Sequence, residues 1–354
     1  MASLTYTTLD VFTNKKYAGN PLAVVHLPSD ISLTQTQKQT IAREFNYSET
    51  VFLHVPASNT SPSALTGKDA TDEIPEWRLD IFTIDAEIPF AGHPTIGSAV
   101  HVLKQRAQAL QQASPSSSSA SLIRGRFAIK AGKLNLTYDP ISKQARALIP
   151  HNLHIHSAHN ISLSSVLDMQ SRLARILSQA QNPVEQSDFN VISPVKGMTF
   201  ATLSLPSLEA LAAVSTCPAI PRADLKLDED WDVGPVFYFF YVFLPSSPSD
   251  TGSESGEEVI RLRTRMMEPA FEDPATGSAS AGLAAFIALR EYNSSKNKAE
   301  GKRQVFKFEM TQAVEMGRQS DIGVEVAIGE NGEVESVELA GGAEEVMQGR
   351  VFYE

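Results

Sequence analysis

A chain of 354 residues, 42% hydrophobic and 20% charged, is long enough for about two globular domains with a sizeable core. Its net charge of −11 comes without the basic stripe that a nucleic-acid partner requires. A single cysteine, Cys217, excludes a disulfide framework and a thiol-rich metal site. MASLTYTTLDVF has no charged region followed by a long apolar run, and no stretch reaches the roughly 18 apolar residues of a membrane span. The expectation is a soluble, cytoplasmic protein with neither membrane nor nucleic acid as partner.

In chain order, Leu4–Val11 alternates and is β-rich, a loop ends in YAGNP, and Leu22–Leu27 reads as a second strand, so the pair predicts a wide hairpin. Ser32–Phe45 has the cap and spacing of a short amphipathic helix. In NYSETVFLHV, strand alternation puts Tyr47, Glu49, Val51 and Leu53 on one face. Residues 57–76 are polar and loop-like, and strand pattern returns from Trp77 to Ile88. A Ser-rich loop over Ser114–Ser121 precedes strands at Arg126–Ile129 and Lys133–Tyr138. His151–Asp188 contains a helical patch near Val166–Leu177. Phe200–Leu205 then reads as a strand, Ser207–Val214 as a helix, and the continuously apolar Val236–Leu244 as a central buried strand. A second low-complexity loop follows Pro245. Further strands are predicted near Val305–Met310, Ile322–Ile328, Val334–Leu339 and Gly349–Tyr353.

Two stretches share one design. EIPFAGHPTIGSAVHVLKQ ends a short strand in a turn containing Gly92, Pro94, Thr95 and Gly97 and continues as an apolar helix through Ala99, Val100, Val102 and Leu103. MMEPAFEDPATGSASAGLAAFIALR does the same, with Asp273 and Pro274 closing the incoming segment, Thr276 and Ser278 as cap types, and Gly277 allowing close backbone approach. Each helix start offers unpaired N–H groups and the positive end of a helix dipole, a favourable place for a carboxylate or phosphate. No fixed-period repeat accompanies them, so the reading is a duplicated architecture. The boundary falls between 148 and 149, giving domains 1–148 and 149–354, with the last strand a candidate to rejoin the first domain.

Several side chains invite a chemical reading beside a plain one. A carboxylate on an apolar strand face resists ionisation, so Glu49 is either a general acid/base with a raised pKa or a strand-end glutamate reaching water. His93 either holds a substrate carboxylate and relays a proton or caps its own turn. Asp273 is a second acid/base or a helix cap. Ser278 lacks a G-x-S-x-G surround, which favours hydrogen bonding over nucleophilic attack. Asp85 and Glu87 read as a solvated face, and Arg261, Arg263 and Arg265 as a water-facing strand edge or an anion contact. His151, His154, His156 and His159 fit no common zinc spacing and sit in loop-like sequence, so no metal is expected. Nucleotide-binding glycine motifs are absent.

The combination of YAGNPLAVV, NYSETVFL, PFAGHPTIGSA, AGKLNL, RMMEPAFEDPATGSASAG, MGRQSDIGVEV and VELAGGAEEVMQGR resembles the phenazine biosynthesis-like (PhzF) family over most of the chain. The loops at 114–121, 151–188 and 245–258 are read as insertions. This resemblance implies a diaminopimelate epimerase-like α+β fold: two pseudo-symmetric domains, each a curled, mostly antiparallel sheet around a central helix, with the active site in the cleft between them. It further implies a cofactor-independent homodimer acting on a small anionic organic substrate. The catalytic glutamate then falls on Glu49, and the substrate-holding His, Asp and Ser on His93, Asp273 and Ser278. Asn20, Gly92, Thr95, Thr276 and Gly277 join them as substrate contacts.

Epimerases of the same fold use a thiol at each helix start, and the matching positions here are read as Ala91 and Pro274. That leaves one carboxyl group to shuttle the proton. The expected function is an isomerase moving a proton between carbons of a small carboxylate-bearing metabolite. The rival reading is a catalytically silent ligand-binding or protein-interaction module.

Overall fold

The hairpin read from YAGNP is formed by β1 (Ala2–Val11) and β2 (Asn20–Pro28), antiparallel with Val11 opposite Asn20. This computed structural model describes residues 2–55, 74–113, 121–180, 184–218, 224–245, 259–269, 271–295 and 300–353. Most of the predicted loops at 57–76, 114–121 and 245–258 therefore lie outside the described residues. The chain divides into two compact units, 1–148 with 339–354, and 149–338.

In the first unit, α1 (Gln35–Phe45) follows β2 and opens with a capping box in which Thr34 and Gln37 satisfy each other's backbone N–H. Asn46, in the left-handed region at φ 53, ends it by donating its N–H to Ala42 O. Then come β3 (Thr50–Val55), β4 (Glu76–Phe82), β5 (Glu87–Ile88), α2 (Gly92–Ala113), β6 (Ile123–Ile129), β7 (Gly132–Asp139) and β8 (Gln144–Leu148). The predicted Trp77–Ile88 strand is in fact β4 and β5 folded back on each other, because Thr83 Oγ1 and backbone N–H hold the intervening turn against Ala86 O. Strand β3 runs parallel to β2 and antiparallel to β4, and β4 runs parallel to β6. The final strand, β18 (Ala343–Tyr353), pairs along all of β1. Helix α2 packs against β1, β2, β3, β6, β7, β8 and β18. Its residues from Gly92 to Leu103 are all buried, whereas its second half reaches the surface.

The second unit contains β9 (His154–Ile155), α3 (Leu163–Asp168), α4 (Ser171–Leu177), β10 (Phe189–Val195), β11 (Met198–Ser204), α5 (Leu208–Ala212), β12 (Val236–Phe243), β13 (Val259–Met267) and β14 (Glu272–Asp273). Helix α6 (Gly277–Ser294), β15 (Gln304–Gln312), β16 (Ser320–Ile328) and β17 (Val334–Gly341) complete it, the last crossing into the first unit. As its composition predicts, β12 is central, parallel to β11 and antiparallel to β13. Strand β13 runs parallel to β15, and α6 packs against β10, β15 and β16.

The two units repeat one plan. A hairpin (β1–β2 or β10–β11) leads through a helix (α1 or α5) to a strand parallel to the hairpin's second strand (β3 or β12). An antiparallel strand (β4 or β13) follows, then a two-residue return (β5 or β14) and a buried helix (α2 or α6). The next strand (β6 or β15) lies parallel to the one before the return. With its mostly antiparallel sheets wrapped on one buried helix per unit, the chain has the diaminopimelate epimerase-like α+β fold.

Candidate active site

Glu49 lies one residue outside the strand predicted to carry it: β3 begins at Thr50, and Tyr47–Glu49 form the bend between Asn46 and that strand. The left-handed Asn46 turns the chain sharply out of α1, and Glu49 sits immediately before the first residue of β3. Its Oε2 atom is fully shielded, although 17% of the side chain remains open. His93, the second residue of α2 and 4% exposed, places Nδ1 3.3 Å from that oxygen, close but not aligned as a hydrogen bond. Burial pushes the Glu49 carboxyl up to about 7, against a smaller opposite pull from the Ser48 side chain. In the chemistry this permits, a neutral-pH solution holds both the acid and the base form of one carboxyl group.

The rest of the first unit's predicted set surrounds the same two element ends. Asn20 is buried at the start of β2, and β2–β3 register puts Ala23 beside Thr50, so Asn20 and Glu49 lie at the same end of that strand pair. Gly19 makes the turn into it: at φ +65, an added Cβ would meet Val11 O at 2.3 Å. Gly92 opens α2 directly, so the predicted turn residues are already its first helical turn. Thr95 is fully buried, and its hydroxyl donates to Ala91 O at 2.8 Å, which commits it to holding that turn.

In the second unit, Asp273 sits in β14 opposite Met266 rather than at a helix cap. Its carboxylate accepts the Thr276 hydroxyl at 2.5 Å. Thr276 is the N-cap of α6, yet its side chain makes no capping bond because it is turned to Asp273. Gln312, fully buried at the end of β15, completes the arrangement. Its amide donates to Asp273 O (2.8 Å) and to Thr276 Oγ1 (3.1 Å), and its Oε1 accepts the Thr276 N–H (3.2 Å). Gly277 and the half-buried Ser278 follow as the first two residues of α6.

Gln312 was missed in the sequence. It shares the alternation phase of Phe306, Phe308 and Met310 in QVFKFEMTQ, and an amide on the buried face of a strand needs partners. Arg265 is a second correction: it is 7% exposed and does not face water. It forks onto Glu272 at 2.6 and 2.9 Å and donates to the Leu211 and Val214 carbonyls at the end of α5. Arg261 and Arg263 pair with Glu309 and Glu315. Glu87 pairs with Lys130 on the surface, as a solvated face should.

The sequence profile of the phenazine biosynthesis-like proteins (PhzC-PhzF) matches residues 9–216 and 247–349. An uncharacterized isomerase of Mesorhizobium japonicum is 28% identical over 99% of this chain and 100% of its own length. Trans-2,3-dihydro-3-hydroxyanthranilate isomerase of Pseudomonas chlororaphis is 37% identical over a shorter stretch, 27% of this chain and 28% of that protein. Among solved structures, a PhzF-family protein of Bacillus anthracis superposes with a TM-score of 0.58 at 17% identity, each chain covered in full.

Proposed function

Since the chain belongs to the phenazine biosynthesis-like (PhzC-PhzF) family, we propose that it is an isomerase in which Glu49 moves a proton between two carbons of a small, unsaturated carboxylate. The ionised carboxyl removes a proton from carbon, the electron pair spreads into the substrate's unsaturated system, and the resulting acid returns the proton at the other end. His93, beside Glu49, polarises the substrate and keeps the carboxyl oriented. The N–H groups opening α6, with Gly277 and Ser278, are assigned to the anionic group, and Asp273 with Thr276 fixes their position. Asn20 and Gly92 contribute contacts at the other helix start. No cofactor is required by this scheme.

The observation that carries this reading is a shielded carboxyl titrating near 7 within 3.3 Å of a buried histidine. A general base works best when its pKa lies near the working pH. The test is deuterium incorporation from heavy water into 2,3-dihydro-3-hydroxyanthranilate and related small unsaturated carboxylates. Incorporation should rise with pH through about 7 and fall by roughly a thousandfold in Glu49→Gln. Equal exchange by the variant and the parent would overturn it. A catalytically silent binding module would hold such carboxylates without exchanging them.

A further inference from the structure

The histidine-rich segment expected to be a loop is partly strand. His154 pairs with Ser193 across β9–β10, and the backbone N–H of His156 donates to Val191 O. Far along the chain, the turn at Asp228 comes back to this segment. The Asp228 carboxylate accepts the Ser157 and Ala158 N–H groups at 3.1 and 2.6 Å and lies 2.9 Å from His154 Nε2. The Asp228 N–H points at His156 Nδ1 from 3.4 Å. An N–H directed at Nδ1 puts the ring proton of His156 on Nε2, where Ser193 Oγ accepts it at 2.9 Å and is itself 2.7 Å from Thr199 Oγ1. The lone pair on Nδ1 therefore faces the cluster, where it accepts the Asp228 N–H, and an ion bound there takes the place of that long hydrogen bond.

We propose that His154 Nε2, His156 Nδ1 and an Asp228 carboxylate oxygen form a binding site for a divalent late transition-metal ion such as zinc. One ligand atom from each residue lies within 4.8 Å of the others. An ion at about 2.0–2.2 Å from three donors needs them about 3–4 Å apart, so the wider separations close by about 1 Å and the Asp228 N–H gives up His156 Nδ1. Two imidazoles and a carboxylate select zinc, nickel or cobalt over magnesium and calcium, which prefer all-oxygen shells. The supporting contacts are those of a metal site: Ser193 fixes the orientation of one ring, and backbone amides hold the carboxylate. Trp231 stacks on the other ring at 4.5 Å and 8°. His154 and Asp228 are partly open to solvent, so an ion can enter, and a water fills the fourth position. Binding would staple the Asp228 turn to β9 and displace the proton shared by His154 and Asp228.

Trp231 and Trp77 are the only tryptophans, so a Trp77→Phe background makes the fluorescence report on the stacked His154 alone. The chelator-treated chain, titrated with zinc, should bind one ion. Its Trp231 emission should change saturably and its melting temperature rise, with no response to magnesium. His154→Phe keeps the stack, and Asp228→Asn keeps an acceptor for the amides. Both should retain the metal-free circular dichroism spectrum and lose zinc affinity at least tenfold. Ser193→Ala should lose about tenfold through the loosened ring. His151→Gln, which sits outside the cluster with its ring on backbone carbonyls, should bind as the parent does. No saturable zinc response in the parent, or an undiminished one in His154→Phe and Asp228→Asn, would overturn the assignment.

Discussion

Glu49 is held at a cost. Between about pH 4.5 and 7 the unfolded chain has this carboxyl ionised while the folded one keeps its proton, so stability falls as pH rises through that window. A shift of this size corresponds to roughly 3 kcal/mol at most. Glu49→Gln should therefore be more stable than the parent at pH 8 by up to about 3 kcal/mol, and equal to it below pH 4, in urea denaturation. If the two unfold alike at pH 8, the carboxyl ionises normally and the proton-shuttle reading loses its support. In the sequence, Glu49 was legible as an acid beside apolar residues, but its exact seat was not. Strand alternation extends backwards through Tyr47, and only the left-handed Asn46 shows that the strand starts later. The Asp273–Thr276–Gln312 network was half legible. Its first two members are neighbours in sequence, while the third arrives through the parallel pairing of β13 with β15, which places Gln312 beside Thr264.

The two buried helices differ in how tightly they are seated, and Gly97 and Gly282, each six residues into its helix, show it. A Cβ at Gly97 would meet Val11 Cγ2 at 2.6 Å and Leu22 Cδ2 at 2.7 Å, both in fully buried side chains. At Gly282 the nearest atom is Pro194 Cβ at 3.1 Å. Alanine improves helix propensity by about 1 kcal/mol over glycine, whereas forced overpacking costs about 1–3 kcal/mol. Gly97→Ala should thus lower the melting temperature clearly, and Gly282→Ala should leave it nearly unchanged. Equal losses would mean that α6 is seated as closely as α2. Both helices were readable from their small apolar residues and turn-rich starts. Their first residues were not, because Gly, Pro and Thr suit a turn and a first helical turn equally well. The burial of Arg265 was hidden for a different reason: its carbonyl acceptors, Leu211 in α5 and Val214 just beyond it, lie some fifty residues upstream.

For the molecule as a whole, pH acts through at least two opposed groups. His26 is pushed down to about 4, first by burial and then by the charge of His101, whose Nε2 is 3.1 Å from its own. The unfolded chain takes up this proton from about pH 6.5 and the folded one only near 4, so stability is lost as pH falls through that range. Glu49 acts in the reverse sense over nearly the same range. His26→Phe should reduce the stability difference between pH 7.5 and pH 5 by about 1–2 kcal/mol, whatever constant cost the lost hydrogen bond brings. An unchanged difference would show that His26 is not the acid-sensitive group. The duplicated plan itself was legible from two matching helix starts, while the pairing that proves it appears only in the register of strands with no shared motif. That plan is unequal at one place: the residue before β3 is Glu49, and the residue before β12 is Pro235. Its ring has no titratable atom, so the second unit offers no acid or base at the equivalent position of its own plan. With Glu49 as the shuttle, hydrogen leaves and returns on the same side of a flat intermediate, and the migration keeps its handedness.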